Sequence, residues 1–295
     1  MIRYLDPKAD VVFKKIFGEH PHLLISFLNA VLPLEDGGDI IKIDYLLSEH
    51  VPKIPILKRT IADVRCTDQQ GKIFIVEMQI NWVDSFKHRL LFEAGQAYVK
   101  QLKKGEEFHL LQPVYGLGII AVQFDDQTAN WYHHYQLVNI NNPTHDIIDH
   151  LQLVFIELPK FPVKSTTDKK LKILWLRFLR EINQKTTEVS ADLLAIPEIN
   201  EAISLSEEAA YTEDELQAYD DYWNMVSTEK TLISDTYRKG LNQGIEIGKE
   251  QGIALGIEKI AKQMLAAKVD LATIVACTGL SIDNIRILED NIKNK

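Results

Sequence analysis

Between residues 10 and 31 the apolar side chains Phe13, Ile16, Phe17, Leu24, Phe27 and Leu28 return at intervals of three and four, the spacing that gathers them on one stripe of an amphipathic helix. Asp6-Pro7-Lys8-Ala9-Asp10 supplies a helix-start signal, and the stretch from Gly18 to Pro21 allows a break within the pattern. The period then shortens to two. Residues 40–47 read as a strand, and a connection containing Pro52 and Pro55 leads to Arg59-Thr60-Ile61-Ala62-Asp63-Val64-Arg65-Cys66-Thr67. After Asp68-Gln69-Gln70-Gly71 comes Lys72-Ile73-Phe74-Ile75-Val76-Glu77-Met78-Gln79, so two β-branched-rich runs flank a polar turn with a glycine, the pattern of a β-hairpin. A helix is expected over about residues 84–104, ending before Gly105. Residues 114–124 are almost continuously apolar, as in a strand buried on both faces, and 131–140 and 151–158 read as two more strands. Up to residue 124 the order is αβββαβ.

Beyond Pro162 the pattern is helical throughout. Residues 167–183 carry Leu171, Leu174, Trp175, Phe178 and Leu179 at helical spacing, and 191–205 and 214–234 read as further helices. Glycine then stands at every fourth position, Gly240, Gly244, Gly248, Gly252 and Gly256, with Leu241, Ile245, Ile253 and Ile257 beside it. Such a stripe suits the close crossing of another helix and points to a homodimer; a tether between two parts of the chain is the other reading. Residues 271–288 resemble a helix-turn-helix in which Ser281 caps the second helix, although Asp283, Glu289 and Asp290 against Arg286 fit a packing hairpin better than a reader of DNA. The chain therefore divides into 1–165, an acidic helical region over 166–236, and 237–295.

Composition narrows the class. With 295 residues and 46% hydrophobic content the chain can bury a full core. No run approaches the ~18 apolar residues of a membrane helix and the N-terminus has no secretory apolar region, so no membrane partner and a cytoplasmic location are expected. Cys66 and Cys277 fit no metal-ligand spacing and are expected to be reduced. The net charge of −9 is local: residues 188–235 hold 13 Asp or Glu against a single Lys, a contribution of −12 that leaves +3 elsewhere. Near the hairpin stand Lys14, Lys15, Lys53, Lys58, Arg59, Arg65, Arg89, Lys100, Lys103 and Lys104, enough to line a nucleic-acid groove or to serve as ordinary solvated charges.

The hairpin also carries the chemistry. Asp63 and Glu77 lie at matching distances from the Gln69-Gln70-Gly71 turn, and two carboxylates that meet repel unless a cation or a proton sits between them. The paired histidines His133 and His134 do not compete as a metal site, because adjacent residues on a strand point to opposite faces.

An aspartate in one strand, a short turn and an apolar strand ending in Glu77-Met78-Gln79 resemble the signature of the PD-(D/E)XK nuclease superfamily. Asp10-Val11-Val12-Phe13-Lys14-Lys15-Ile16-Phe17, Phe27-Leu28-Asn29-Ala30-Val31-Leu32 and Tyr98-x-x-Gln101-Leu102 extend the likeness to the Rpn family of recombination-promoting nucleases and putative transposases, across roughly the first half of the chain. The resemblance implies an α/β fold with a restriction-endonuclease-like core, a central mixed sheet flanked by helices, ahead of the all-helical C-terminal region. It implies a metal-dependent DNA endonuclease linked to recombination or mobile elements, in which Asp63, Glu77 and the Met78 carbonyl hold Mg2+, with Mn2+ or Ca2+ as substitutes. Gln79 stands where many superfamily members have lysine, and Asp10 either joins the metal shell or caps its helix. Lys14, Lys15, Arg65, Arg89, Tyr98 and Gln101 are the implied DNA contacts. An amide neither carries positive charge nor takes a proton, so a nuclease-fold binding or regulatory module with weak turnover is the alternative.

Overall fold

The sheet is built outward from β3 (Ile73–Gln79), a strand buried along its whole length. The computed structural model describes residues 2–35, 37–46, 61–81, 85–124, 127–162 and 170–293. β3 pairs antiparallel with β2 (Ile61–Asp68) across a turn in which Gly71 has a φ of 84°, a conformation that a side chain would strain. β2 in turn pairs with the short edge strand β1 (Ile43–Tyr45). On the other side β3 runs parallel to β4 (Val114–Ile120), β4 runs parallel to β6 (Ile147–Glu157), and β5 (Tyr132–Val138) lies antiparallel to β6 at the far edge. The result is a mixed six-stranded sheet of order β1-β2-β3-β4-β6-β5. Parallel neighbours need a crossover, and α3 (Phe86–Val99) provides it between β3 and β4.

Alternation along β3 divides the core. Phe74, Val76 and Met78 enter the larger cluster, where the rings of Phe13, Phe17, Phe27, Trp175 and Phe178 pack against one another. Ile73 and Ile75 enter a smaller cluster under Phe86, Leu90 and Ala94 of α3. Two glycines of β4 permit the approach of α3: a Cβ at Gly116 would meet Leu153 Cδ2 at 2.8 Å and Leu90 Cγ at 3.1 Å, and one at Gly118 would meet Phe86 Cε1 at 2.9 Å. Burying each such Leu or Phe side chain contributes about 1.5–3 kcal/mol.

The helices depart from simple periodicity where proline and glycine intervene. The helix expected over 10–31 is α1 (Asp10–Phe13), a π-helical turn over Lys14–Gly18, and α2 (Pro21–Val31), which starts with its proline in the first turn. After α4 (Leu171–Glu181), the helix expected over 191–205 is divided into α5 (Ala191–Leu194) and α6 (Pro197–Leu205), since proline fits only the first turn. α7 (Glu213–Ala266) runs for 54 residues, straight through all five spaced glycines. Its start is a capping box: the Thr212 N–H donates to Glu215 Oε2 (2.8 Å) and the Glu215 N–H to Thr212 Oγ1 (3.3 Å).

The chain separates into two units, Met1–Glu229 and Lys230–Lys295, and α7 contributes to both. The second unit has its own small core of Ala261, Ile274 and Ile285. In it α8 (Leu271–Thr278) ends at Gly279 in the left-handed region, and α9 (Ile282–Lys293) follows at a bend of 112°. Ser281 Oγ accepts the Asn284 N–H at 3.2 Å, the expected cap. Among the described residues no single helix is long and apolar enough to cross a membrane.

Candidate active site at the end of β3

Ile73, Ile75, Glu77 and Gln79 share the α3 side of β3, so the strand's apolar face turns polar at its C-terminal end. Asp63 is the Cα partner of Glu77 in the hairpin; its side chain lies outside the described residues. Glu77 is 1% exposed and Gln79 2%. Both are reached from α3: Arg89 Nη2 donates to Gln79 Oε1 at 2.8 Å and to Glu77 Oε2 at 3.3 Å, while the guanidinium stands 5.0 Å from the Phe86 ring. Gln79 Nε2 donates to the Asn81 carbonyl, and Asn81 Nδ2 donates to Glu229 Oε2 at 2.8 Å and to the Val226 carbonyl at 3.3 Å. A continuous polar chain thus runs from α3 through the end of β3 to α7.

The other implied residues are dispersed. Asp10 is the first residue of α1 and not its cap, which is Ala9; it forms an ion pair with Lys14 at 2.8 Å. Lys15 is paired with Glu215 of α7 at 3.0 Å and lies over the Tyr211 ring. Arg65 on β2 is bound to Glu93 of α3 at 2.6 Å. Tyr98 shares a hydrogen bond with His150 Nδ1 at 3.1 Å. Gln101 clamps Gln112, donating to its carbonyl (2.8 Å) and accepting its N–H (2.7 Å). Met78 is buried in the larger core. Lys53, Lys58 and Arg59 lie outside the described residues. His133 and His134 do diverge, toward Glu157 and Gln152 respectively.

Burial first, and then the carboxylates of Asp10, Asp6 and Glu229, push the Tyr222 phenol of α7 well above its ordinary value. Through Glu229, which accepts from Asn81 at 2.8 Å, the acidic helix α7 reaches the end of β3. Among the described residues no three His, Cys, Asp or Glu side chains could hold a metal together.

Sequence reasoning did not connect Asn81 or Glu229 with Gln79. The polar alternation Glu77, Gln79, Asn81 was a usable signal for the first; Glu229 lies 148 residues from Asn81 and left none.

A model of the PD-(D/E)XK nuclease family transposases matches residues 7–235. The chain belongs to that family. Membership in the PD-(D/E)XK nuclease family transposases makes the six-stranded sheet a nuclease sheet and ties the protein to nuclease and mobile-element functions. No curated protein and no solved structure matches the chain.

Proposed function

We propose that this PD-(D/E)XK protein is a metal-dependent DNA endonuclease of recombination or mobile elements, with its site at Asp63, Glu77 and Gln79. The observation that carries the reading is the hairpin register, which sets an aspartate directly opposite a glutamate withdrawn from water. Opposed residues of an antiparallel ladder share a face, and two carboxylates there need a compensating charge. Asp63, Glu77 and the Met78 carbonyl form an all-oxygen donor set, which fits a hard divalent ion such as Mg2+, with Mn2+ or Ca2+ in its place. A bound ion of this kind would polarise the scissile phosphate and lower the pKa of its water. Gln79 orients by hydrogen bonding without exchanging protons, and Asp10 assists from the first turn of α1. Lys14, Lys15, Arg65, Tyr98 and Gln101 are the proposed flank for DNA, and their internal partners must yield for direct contact with the duplex.

The test is nicking of supercoiled plasmid by the purified chain with Mg2+. Cleavage should vanish in Asp63→Ala and in Glu77→Ala, and parental cleavage in both would remove the site.

The second reading, a nuclease-fold DNA-binding or regulatory module with little turnover, is favoured by one observation: the Gln79 amide has its N–H on Asn81 and its oxygen on Arg89. Plasmid retardation without nicking would establish it. In either case the glycine-spaced part of α7 is the proposed dimer contact, since a Cβ on any of its five glycines would meet nothing within 4 Å.

A further inference from the structure

A lysine at the second position after the metal-binding acid brings positive charge to a site of this type, and Gln79 cannot. Arg89 is placed to do so. Its Nη2 is shared between Gln79 and Glu77, with the shorter contact, 2.8 Å against 3.3 Å, going to the uncharged amide. A guanidinium whose task was only to neutralise Glu77 would present its two-pronged fork to the carboxylate. This one meets both acceptors with a single nitrogen, and its buried Nε–H has no hydrogen-bond partner among the described residues. Arg89 is 22% exposed at its side chain, whereas Glu77 is 2%, so the cation is the part of the pair that solvent reaches. Arg65, the neighbouring cation on the same side of the sheet, is bound to Glu93 at 2.6 Å and 17% exposed. The position of Arg89 is set by its helix: Phe86 and Leu90, on either side of it in α3, fill the space that Gly118 and Gly116 leave open above β4.

We propose that Arg89 supplies, from α3, the positive charge that Gln79 cannot supply from β3, and that its Nη1, which is bonded neither to Gln79 nor to Glu77, donates to a non-bridging oxygen of the scissile phosphate when DNA occupies the site. The guanidinium is always charged, and its planar fork matches phosphate oxygens. The inference rests on the nuclease reading above.

The experiment uses the full chain: single-turnover plasmid cleavage at saturating Mn2+, and Mn2+ calorimetry, on the parent, Arg89→Ala, Arg89→Gln and the double variant Arg89→Ala/Gln79→Lys. Both single variants should cleave about 100- to 1000-fold more slowly, the range for removing one preorganised charged donor. Their Mn2+ affinity should hold or increase, because a positive charge beside Glu77 opposes a second cation. The double variant, with a charge restored on β3, should recover at least about tenfold of the lost rate. Arg89→Gln keeps an amide donor of similar reach, so it reads charge even if Arg89→Ala fails to fold. Cleavage by Arg89→Gln within about threefold of the parent overturns the inference, as does a loss matched by lost Mn2+ binding and not recovered in the double variant. A parent that does not cleave at all overturns the nuclease reading and this inference together, whereas normal cleavage by the arginine variants overturns this inference alone.

Discussion

Glu77 and Gln79 are two residues apart, equally buried and touched by the same guanidinium, yet their chemistry diverges: one is a charged oxygen donor and the other a neutral amide. Removing each should therefore leave a different signature. Gln79→Ala should reduce turnover by about tenfold or more while Mn2+ affinity changes little, since an orienting hydrogen bond is lost and no ligand is. Equal losses in both would make Gln79 part of the metal's own shell. Asp63→Asn removes one of two opposed charges and should raise the melting temperature of the metal-free protein by roughly one or two degrees. A fall of that size would mean the carboxylates do not repel one another. The opposition of Asp63 and Glu77 was legible because turn position fixes hairpin register. Arg89 was legible as a basic residue near the hairpin and not as a partner of Gln79, because that contact depends on how deeply α3 sits, which no local pattern encodes.

That depth is a property of elements. Gly118 is the Cα partner of Glu77 across the parallel β3–β4 ladder and lies under Phe86. Gly118→Val should lift the first turns of α3 and lower stability by about 1–3 kcal/mol, the usual cost of overpacking a core. Urea unfolding checks the stability, and a larger loss of cleavage than of stability would reveal displacement of Arg89. Two strands from Gln79, at the end of β6, the fully buried Glu157 accepts from Lys160 (2.9 Å) and from the Phe124 N–H (2.9 Å) and is bonded to His133 (2.8 Å). Glu157→Ala removes the buried carboxylate that Lys160 and His133 share and should cost about 3–5 kcal/mol.

The start of α7 responds to pH. The Thr212 N–H and then Lys15 hold the Glu215 carboxyl below its ordinary value of 4.5. A lowered acid stabilises the fold above its unfolded pKa and loses that contribution as pH falls through the folded one. The acid limb of a thermal-stability profile should therefore flatten in Glu215→Gln, which has no carboxyl to titrate. Strands were the most legible elements here, because period two and the glycine turn act locally; the continuity of α7 was not legible, since five glycines each weaken a helix by up to about 1 kcal/mol and only the finished helix reveals that they do not break it.

At the scale of the whole molecule the charge is divided rather than balanced, with −12 between residues 188 and 235 and +3 elsewhere. Binding of DNA should accordingly weaken steeply with salt if the basic remainder carries it, and a flat salt profile would assign binding to uncharged contacts. The spaced glycines make the other prediction at this scale. Replacing Gly244, Gly248 and Gly252 together by leucine should strengthen the helix by propensity while separating paired chains, seen as a shift toward monomer in sedimentation and a fall of double-strand cutting relative to nicking. A parent already monomeric at micromolar concentration, with and without DNA, would make the stretch a spacer.

The cysteines fall one in each unit, and they differ in reactivity. Cys66 is buried in β2, three residues after Asp63, and burial followed by the charge of Asp68 pushes its thiol up to about 12; Cys277 is exposed on α8. A thiol must ionise and meet solvent to be alkylated. Cys277 should thus react at once, whereas Cys66 reacts only as often as the hairpin opens, so its labelling rate is a clock for the strand that carries the proposed site. A ligand held by the closed hairpin must slow that clock in proportion to its occupancy while leaving Cys277 unaffected. Mn2+ binding can therefore be timed by mass spectrometry on the native chain, without DNA and without turnover.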